Sequence, residues 1–263
     1  MSAHIVAGPV LTGGEALAPA LNLYRFPHLY DVLKAPDDGD VAVVRELIER
    51  FVGPAPWAIL DPACGPGNWL RPFAPHAALL AGNDNCPEMV EYTRACVGAH
   101  TVLGDMYDPQ LPHTFDVILE ASGVTSLVPD AATLCRWVGT LGSLLSKGGA
   151  VVLLMNFETP PAAELPAALW QSDWRPVPGG FARIRYDLLA DMPGAQRIRR
   201  TVETEGGGWP PLIVEDYDLS VWPSDTLQAL AAPPGMRLRA CVDAANGQAA
   251  DAQGERLLVF TAA

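Results

Sequence analysis

The sequence predicts a three-layer α/β/α sandwich with a mostly parallel sheet of seven strands and a small antiparallel β insertion. Three observations predict it. Between residues 57 and 155, short solid apolar runs alternate with helical patterns, as strands covered on both faces do. After Asn156 the pattern changes to alternating segments, which read as an antiparallel meander. The chain has 263 residues, 49% of them hydrophobic, enough for one large α/β domain.

Residues 1–20 are rich in Gly, Ala and Pro and are expected to form a flexible N-terminus. Leu21–Lys34 and Asp40–Phe51 read as two helices that make an N-terminal helical segment over residues 21–52. In the second, Val41, Val44, Leu47, Ile48 and Phe51 form one apolar stripe, and Pro54 and Pro56 end it. Trp57–Leu60 is the first strand, and a helix is expected from about Asn68. Ala77–Ala81 is the second strand, Pro87–Val97 a helix, Thr101–Leu103 the third strand and Phe115–Leu119 the fourth. A helix is expected over Ala131–Ser146, stopped by Gly148 and Gly149, before a fifth strand, Ala150–Met155. The meander takes Phe181–Leu189, Gln196–Glu205 and Leu212–Trp222, about residues 180–222. Ser224 then caps a helix to Ala231, and Arg237–Val242 and Arg256–Thr261 complete the sheet. Residues 21–263 are thus one domain.

Charge excludes some function classes. Lys and Arg number 17 against 30 Asp and Glu, a net charge of -13. No basic footprint is available for a nucleic-acid backbone or an anionic membrane surface, so a small molecule is the expected partner. The five cysteines show no CxxC spacing, which argues against a disulfide framework and against a metal site. No stretch of 18 apolar residues occurs, and Met1–Val10 lacks the character of a signal peptide. A cytoplasmic location is the resulting expectation.

The richest segment is Ile59–Leu70, a strand that runs into Asp61-Pro62-Ala63-Cys64-Gly65-Pro66-Gly67. Gly65 and Gly67 permit a close backbone approach to a ligand, or serve only an unusual turn conformation. The helix N-terminus expected beyond them would offer free N–H groups. A nicotinamide fingerprint would want a third Gly near position 70, where this chain has Asn68, Trp69 and Leu70. Asp61 at the strand end would repel a pyrophosphate and suits a ligand with a positive end. The second segment is Gly82–Met89, with Asp84 at a strand end 19 residues after Gly65, where a carboxylate can accept from a ribose diol. Pro87 in its first turn also simply starts a helix. The third is Leu103-Gly104-Asp105-Met106. The fourth is Phe115–Ser122, with Glu120 where its strand meets the pocket.

In this order the motifs resemble those of class I S-adenosylmethionine (SAM)-dependent methyltransferases, with specific matches over about residues 40–156. Cys86 departs from the Ser usual there. The resemblance implies a Rossmann-like fold, an antiparallel last strand and SAM as cofactor. It implies a cofactor site of Asp61, Ala63, Gly65, Gly67, Asp84, Asn85, Met89, Asp105, Met106 and Glu120. Asp105 would accept from the adenine amine, and Met106 would pack on the ring. Glu120 would line the amino-acid end or meet a cationic acceptor, or be a rim carboxylate without a catalytic role.

The N-terminal segment would close over the cofactor. There Tyr24, Phe26, His28 and Tyr30 either face the sulfonium or pack the lid. Candidate catalytic residues are Tyr30, Glu120 and Asn156. No motif names a general base, and of the five histidines only His28 lies near a pocket. The implied function is methyl transfer to a small-molecule acceptor in specialised metabolism. The alternative is a cyclase or lyase of the same fold that releases methylthioadenosine, with Asn156, Tyr186, Tyr217 or Ser220 around the methionine moiety. A SAM-binding protein without catalysis is a third reading.

Overall fold

A computed structural model describes residues 22–160, 162 and 164–263. The expected flexible segment, residues 1–20, lies outside the described residues, as do Leu21, His4 and Met1–Val10.

Seven strands form the central sheet: β1 (Trp57–Asp61), β2 (Ala77–Asp84), β3 (His100–Leu103), β4 (Phe115–Glu120), β5 (Leu145–Phe157), β11 (Met236–Asp243) and β12 (Gly254–Ala262). Their order is β11-β12-β5-β4-β1-β2-β3. Only β12 runs antiparallel to its neighbours, β5 and β11. The alternation of each strand divides the core into two layers. Leu60, Ile118, Val151, Leu153 and Phe260 meet Leu134, Trp137 and Leu141 of helix α4 (Ala131–Ser143). Ile59, Val117, Leu119, Val152 and Val259 meet Val44, Leu47 and Ile48 of α2 (Asp38–Phe51). Helix α3 (Pro87–Cys96) connects β2 to β3.

The insertion is larger than the meander read from the sequence. Besides β8 (Gly180–Met192), β9 (Ala195–Gly206) and β10 (Leu212–Ser220), it contains β6 (Ala167–Gln171) and β7 (Arg175–Val177), both paired with β8. Its inner face forms a third core with Leu23, Leu29, Tyr30 and Leu33, from the turn Asn22–Arg25 and helix α1 (Pro27–Lys34). The chain leaves and re-enters the central sheet at one place. Phe157 and Trp222 form a bridge, with Glu158 N–H donating to the Trp222 carbonyl at 2.9 Å and Trp222 N–H to the Asn156 carbonyl at 2.8 Å.

Several elements differ from expectation. No α-helix follows β1; a turn leads into a 3-10 segment, Arg71–His76, because Pro72 and Pro75 remove the amides a regular helix needs. The free helix N-terminus expected after Gly67 is therefore absent. The N-terminal helix is split at Phe26 before Pro27. Helix α2 starts at Asp38, because Asp37 and Asp40 form a reciprocal capping box. Gly148 and Gly149 lie within β5 instead of stopping α4. A Cβ on Gly149 would sit 2.9 Å from the Asp116 carbonyl, so the residue lets β5 approach β4. The helix after the meander, α5 (Thr226–Ala229), is a single turn with Asp225, not Ser224, at its N-cap.

Candidate active site

The C-terminal ends of β1, β2 and β4 bring Asp61, Asp84 and Glu120 together around the Gly65 turn. Such strand ends are where open α/β sheets bind ligands. Asp61 is buried, and its Oδ1 accepts from Ala63 N–H at 3.0 Å. Burial pushes its proton affinity well above the usual carboxylate range, and the nearby Glu120 and Asp84 add to this. Asp84 accepts from Gly65 N–H at 2.7 Å and from Cys86 N–H at 2.9 Å. Burial outweighs these hydrogen bonds and pushes Asp84 up to about 6.

Glu120 is fully buried. Its Oε1 accepts from Ser122 N–H, Ser122 Oγ and Val124 N–H at 2.9, 2.7 and 3.0 Å. Its Oε2 has no partner among the described residues. Burial raises its pKa too. Three neighbouring carboxylates held against their own desolvation, one with an orphaned oxygen, form a site that a cation would stabilise. No group of three or more potential metal ligands occurs among the described residues. The site fits an organic cation such as a sulfonium or an ammonium.

Two side chains hold this frame that sequence reasoning missed. Asn83, fully buried, donates through Nδ2 to the Pro62 carbonyl at 3.0 Å and the Gly104 carbonyl at 3.2 Å. It ties the turns after β1 and β3. Thr93 of α3 donates to the Gly65 carbonyl at 2.8 Å.

Gly67 has a different reason from close ligand approach. Its φ is +78°, and a Cβ would meet Val97 Cγ2 at 2.8 Å and Thr93 Cγ2 at 2.9 Å. It serves a left-handed turn packed on α3. Gly65, with φ +51°, is different: a Cβ there meets only Tyr30 Cε1, at 3.9 Å.

The N-terminal aromatics divide into two pairs. Tyr30 is buried and stacks on Tyr24 with centroids 5.3 Å apart. Its ring edge faces Gly65, and Asp84 raises the Tyr24 pKa, so both rings adjoin the carboxylates. Phe26 packs edge-on to Trp209 at 6.2 Å, and exposed His28 packs on Tyr92 at 4.6 Å. His28 is therefore not brought to the carboxylates, and the expectation of a pocket histidine is corrected.

Among the remaining residues, Asp105 is exposed and caps Tyr107 N–H at 2.9 Å. Met106 is half-buried, and its carbonyl accepts from the Trp137 indole at 2.7 Å. Asn85 is exposed. Met89 is sealed in the core beneath the meander, so it is a packing residue and not a lining one.

The polar set suggested around a methionine moiety separates into two places. Asn156 and Ser220 line a cavity of about 720 Å³ beside the ends of β4 and β5, together with Ser126, Gln196 and Ala121. The Asn156 amide donates to Ser126 Oγ at 3.1 Å. Tyr186 and Tyr217 instead lie in the meander core beside Arg200.

Residues 59–149 match the family model described as "Methyltransferase domain". The matched segment contains Asp61, Asp84 and Glu120. The chain is 33% identical over 166 residues to trans-aconitate 2-methyltransferase of Mycobacterium sp. (strain KMS). The alignment covers 60% of this chain and 57% of that relative, so the chain spans little more than half the length of the curated proteins it matches. Its fold is similar to the sugar N-methyltransferase KedS8 of Streptoalloteichus sp. ATCC 53650, with TM-score 0.68 and 21% identity, covering 98% of this chain and 99% of that one. It is also similar to a SAM-dependent methyltransferase of Clostridium acetobutylicum ATCC 824, with TM-score 0.69 and 15% identity, covering 90% and 98%.

Proposed function

We propose that this chain binds SAM at the ends of β1–β4 and transfers its methyl group to a small-molecule acceptor admitted from the meander side, in cytoplasmic specialised metabolism. The observation that carries the reading is the carboxylate set of Asp61, Asp84 and Glu120 beneath Tyr24 and Tyr30, with the orphaned Glu120 Oε2. Opposite charge and aromatic faces are what a sulfonium and an α-ammonium require. The net charge of -13 supports a small acceptor over nucleic acid. A relative named for trans-aconitate supports a metabolite acceptor.

Asp84 would hold the ribose diol, since each of its oxygens keeps a lone pair beyond its amide bond. Asp105 and Met106 would hold the adenine, and Asp61, Ala63, Gly65 and Glu120 the amino-acid end. When bound, SAM supplies a methyl group on a positively charged sulfur, a strong electrophile with a neutral leaving group. The protein's work is then to align the nucleophile and exclude water, with Tyr30 walling the site and Asn156 orienting an acceptor in the cavity. No general base is needed if the acceptor arrives as a free amine or a carboxylate.

Calorimetry with SAM, S-adenosylhomocysteine (SAH) and NAD, followed by mass analysis of the products, tests the reading. Saturable SAM and SAH binding without NAD binding is the expected result. SAH and a methylated acceptor support methyl transfer. Methylthioadenosine formed from SAM alone would overturn it in favour of cyclisation or lysis.

A further inference from the structure

We infer that the inner face of the meander holds a carboxylate-recognition site for the acceptor, built from Arg200, Tyr186 and Tyr217. The inference rests on the methyltransferase reading above and names the substrate class for it. In register, Tyr186 of β8, Arg200 of β9 and Glu215 of β10 lie directly opposite one another in one row. On that face one flanking row is apolar, Ile184, Val202 and Ile213, and the other holds Leu188, Ile198 and Tyr217. A guanidinium that is 0% exposed on such a face is costly, so its partners matter.

Glu215 satisfies only part of Arg200. Nε and Nη2 both donate to Glu215 Oε2, at 2.8 and 2.6 Å, which leaves Nη1 at the end of the fork without a partner among the described residues. The hydroxyls of Tyr186 and Tyr217 are likewise buried without partners. Three orphaned donors on neighbouring strand positions are rare in folded proteins, where nearly all buried polar groups are paired. A guanidinium fork end with two phenol hydroxyls is a donor set suited to a planar carboxylate. Glu215 offsets the charge of Arg200, so the donors left over among the described residues are one guanidinium nitrogen and two hydroxyls.

The position links this set to the methyl-transfer site. The Arg200 guanidinium lies 5.6 Å from the Tyr24 ring and 5.5 Å from the Tyr217 ring. Tyr24 stacks on Tyr30, and Tyr30 faces Gly65. A carboxylate bound at Arg200 is thus separated from the cofactor turn by two stacked aromatic rings.

The test uses the full chain loaded with SAH, as parent, Tyr186→Phe, Tyr217→Phe and Arg200→Lys. The two Phe variants lose one hydroxyl each and keep their shape, so they remain informative if Arg200→Lys fails to fold. Melting temperature is followed with acetate against acetamide, and with trans-aconitate against its trimethyl ester. The SAH dissociation constant is measured in parallel. The expected result is a saturable rise with the carboxylates only, weakened about tenfold or more in each Phe variant. The SAH affinity should stay within about twofold of the parent. An SAH-binding parent with no carboxylate response, or with a response unchanged in the variants, overturns the inference. So does a tenfold loss of SAH affinity in the Phe variants without a carboxylate effect, which assigns the donors to the cofactor's own methionine carboxylate. Failure of SAH to bind the parent overturns the cofactor reading itself and is seen before any carboxylate is added.

Discussion

Asp84 takes up its proton at about 6 in the folded protein and at 3.8 when free of it, because burial outweighs two amide hydrogen bonds. Between those values the folded state carries more protons than the unfolded one. The group's contribution to stability therefore falls as pH rises through that window. Ligand binding runs the other way, since a ribose diol donates to the ionised form. SAH affinity is expected to weaken as pH is lowered through about 6, as calorimetry in matched buffers would show. An affinity flat from pH 5 to 7.5 would remove Asp84 from the ribose site. The two turn glycines separate fold from binding. Gly67→Ala should lower apo stability by about 1–3 kcal/mol, through its left-handed backbone and its contact with Thr93 and Val97, read as melting temperature. Gly65→Ala is strained as well, but its added methyl points towards Tyr30, so it should cost SAH affinity beyond any loss of stability. The places of Asp61, Gly65, Asp84 and Asp105 at or just after strand ends were legible in the sequence because each follows a short apolar run. Asn83, Thr93, Arg200 and Glu215 were not, because their partners are distant in sequence. Glu215 Oε1 accepts from Leu23 N–H across 192 positions.

At the scale of elements, periodicity located every strand of the central sheet, and local chemistry decided where it failed. Pro72 and Pro75 converted the expected helix after β1 into a 3-10 turn. The Pro-rich stretch over residues 160–180 concealed β6 and β7. Pro176 is tolerated in β7 because that strand pairs with β8 alone. Helix α1 is anchored in part by a buried carboxylate: Asp31 takes both Arg71 Nη1 and Nη2 at 2.8 Å and the Tyr92 hydroxyl at 2.9 Å. Asp31→Asn keeps the shape and removes the charge. It should destabilise the protein by about 1–3 kcal/mol and weaken SAH binding, because Tyr30 shares its helix. A lower melting temperature with unchanged SAH affinity would show that α1 does not contribute to the cofactor site.

For the whole molecule, the two core layers on the central sheet are distinct from the third core, which joins α1 to the meander and shares Leu127 with the first. Ligand binding should therefore act unevenly. SAH is expected to slow amide hydrogen exchange most in residues 22–34 and 180–220, and least in β11 and β12. Uniform protection would mean that the lid and meander do not close on the ligand as a unit. Neither the third core nor the donor row within it was legible from composition, since both depend on which meander face turns inward.

The bridge between Phe157 and Trp222 has a consequence for how such proteins diversify. Both ends of the insertion meet at a single hydrogen-bonded point, so residues 158–221 begin and finish in the same place. A segment with coincident ends can be exchanged for another without shifting the register of the sheet that carries it. Under the proposed function, acceptor choice would be a cassette, free to drift or be transplanted while the cofactor half is inherited unchanged. The cut points for such a graft are already marked by the two backbone bonds at Asn156 and Glu158.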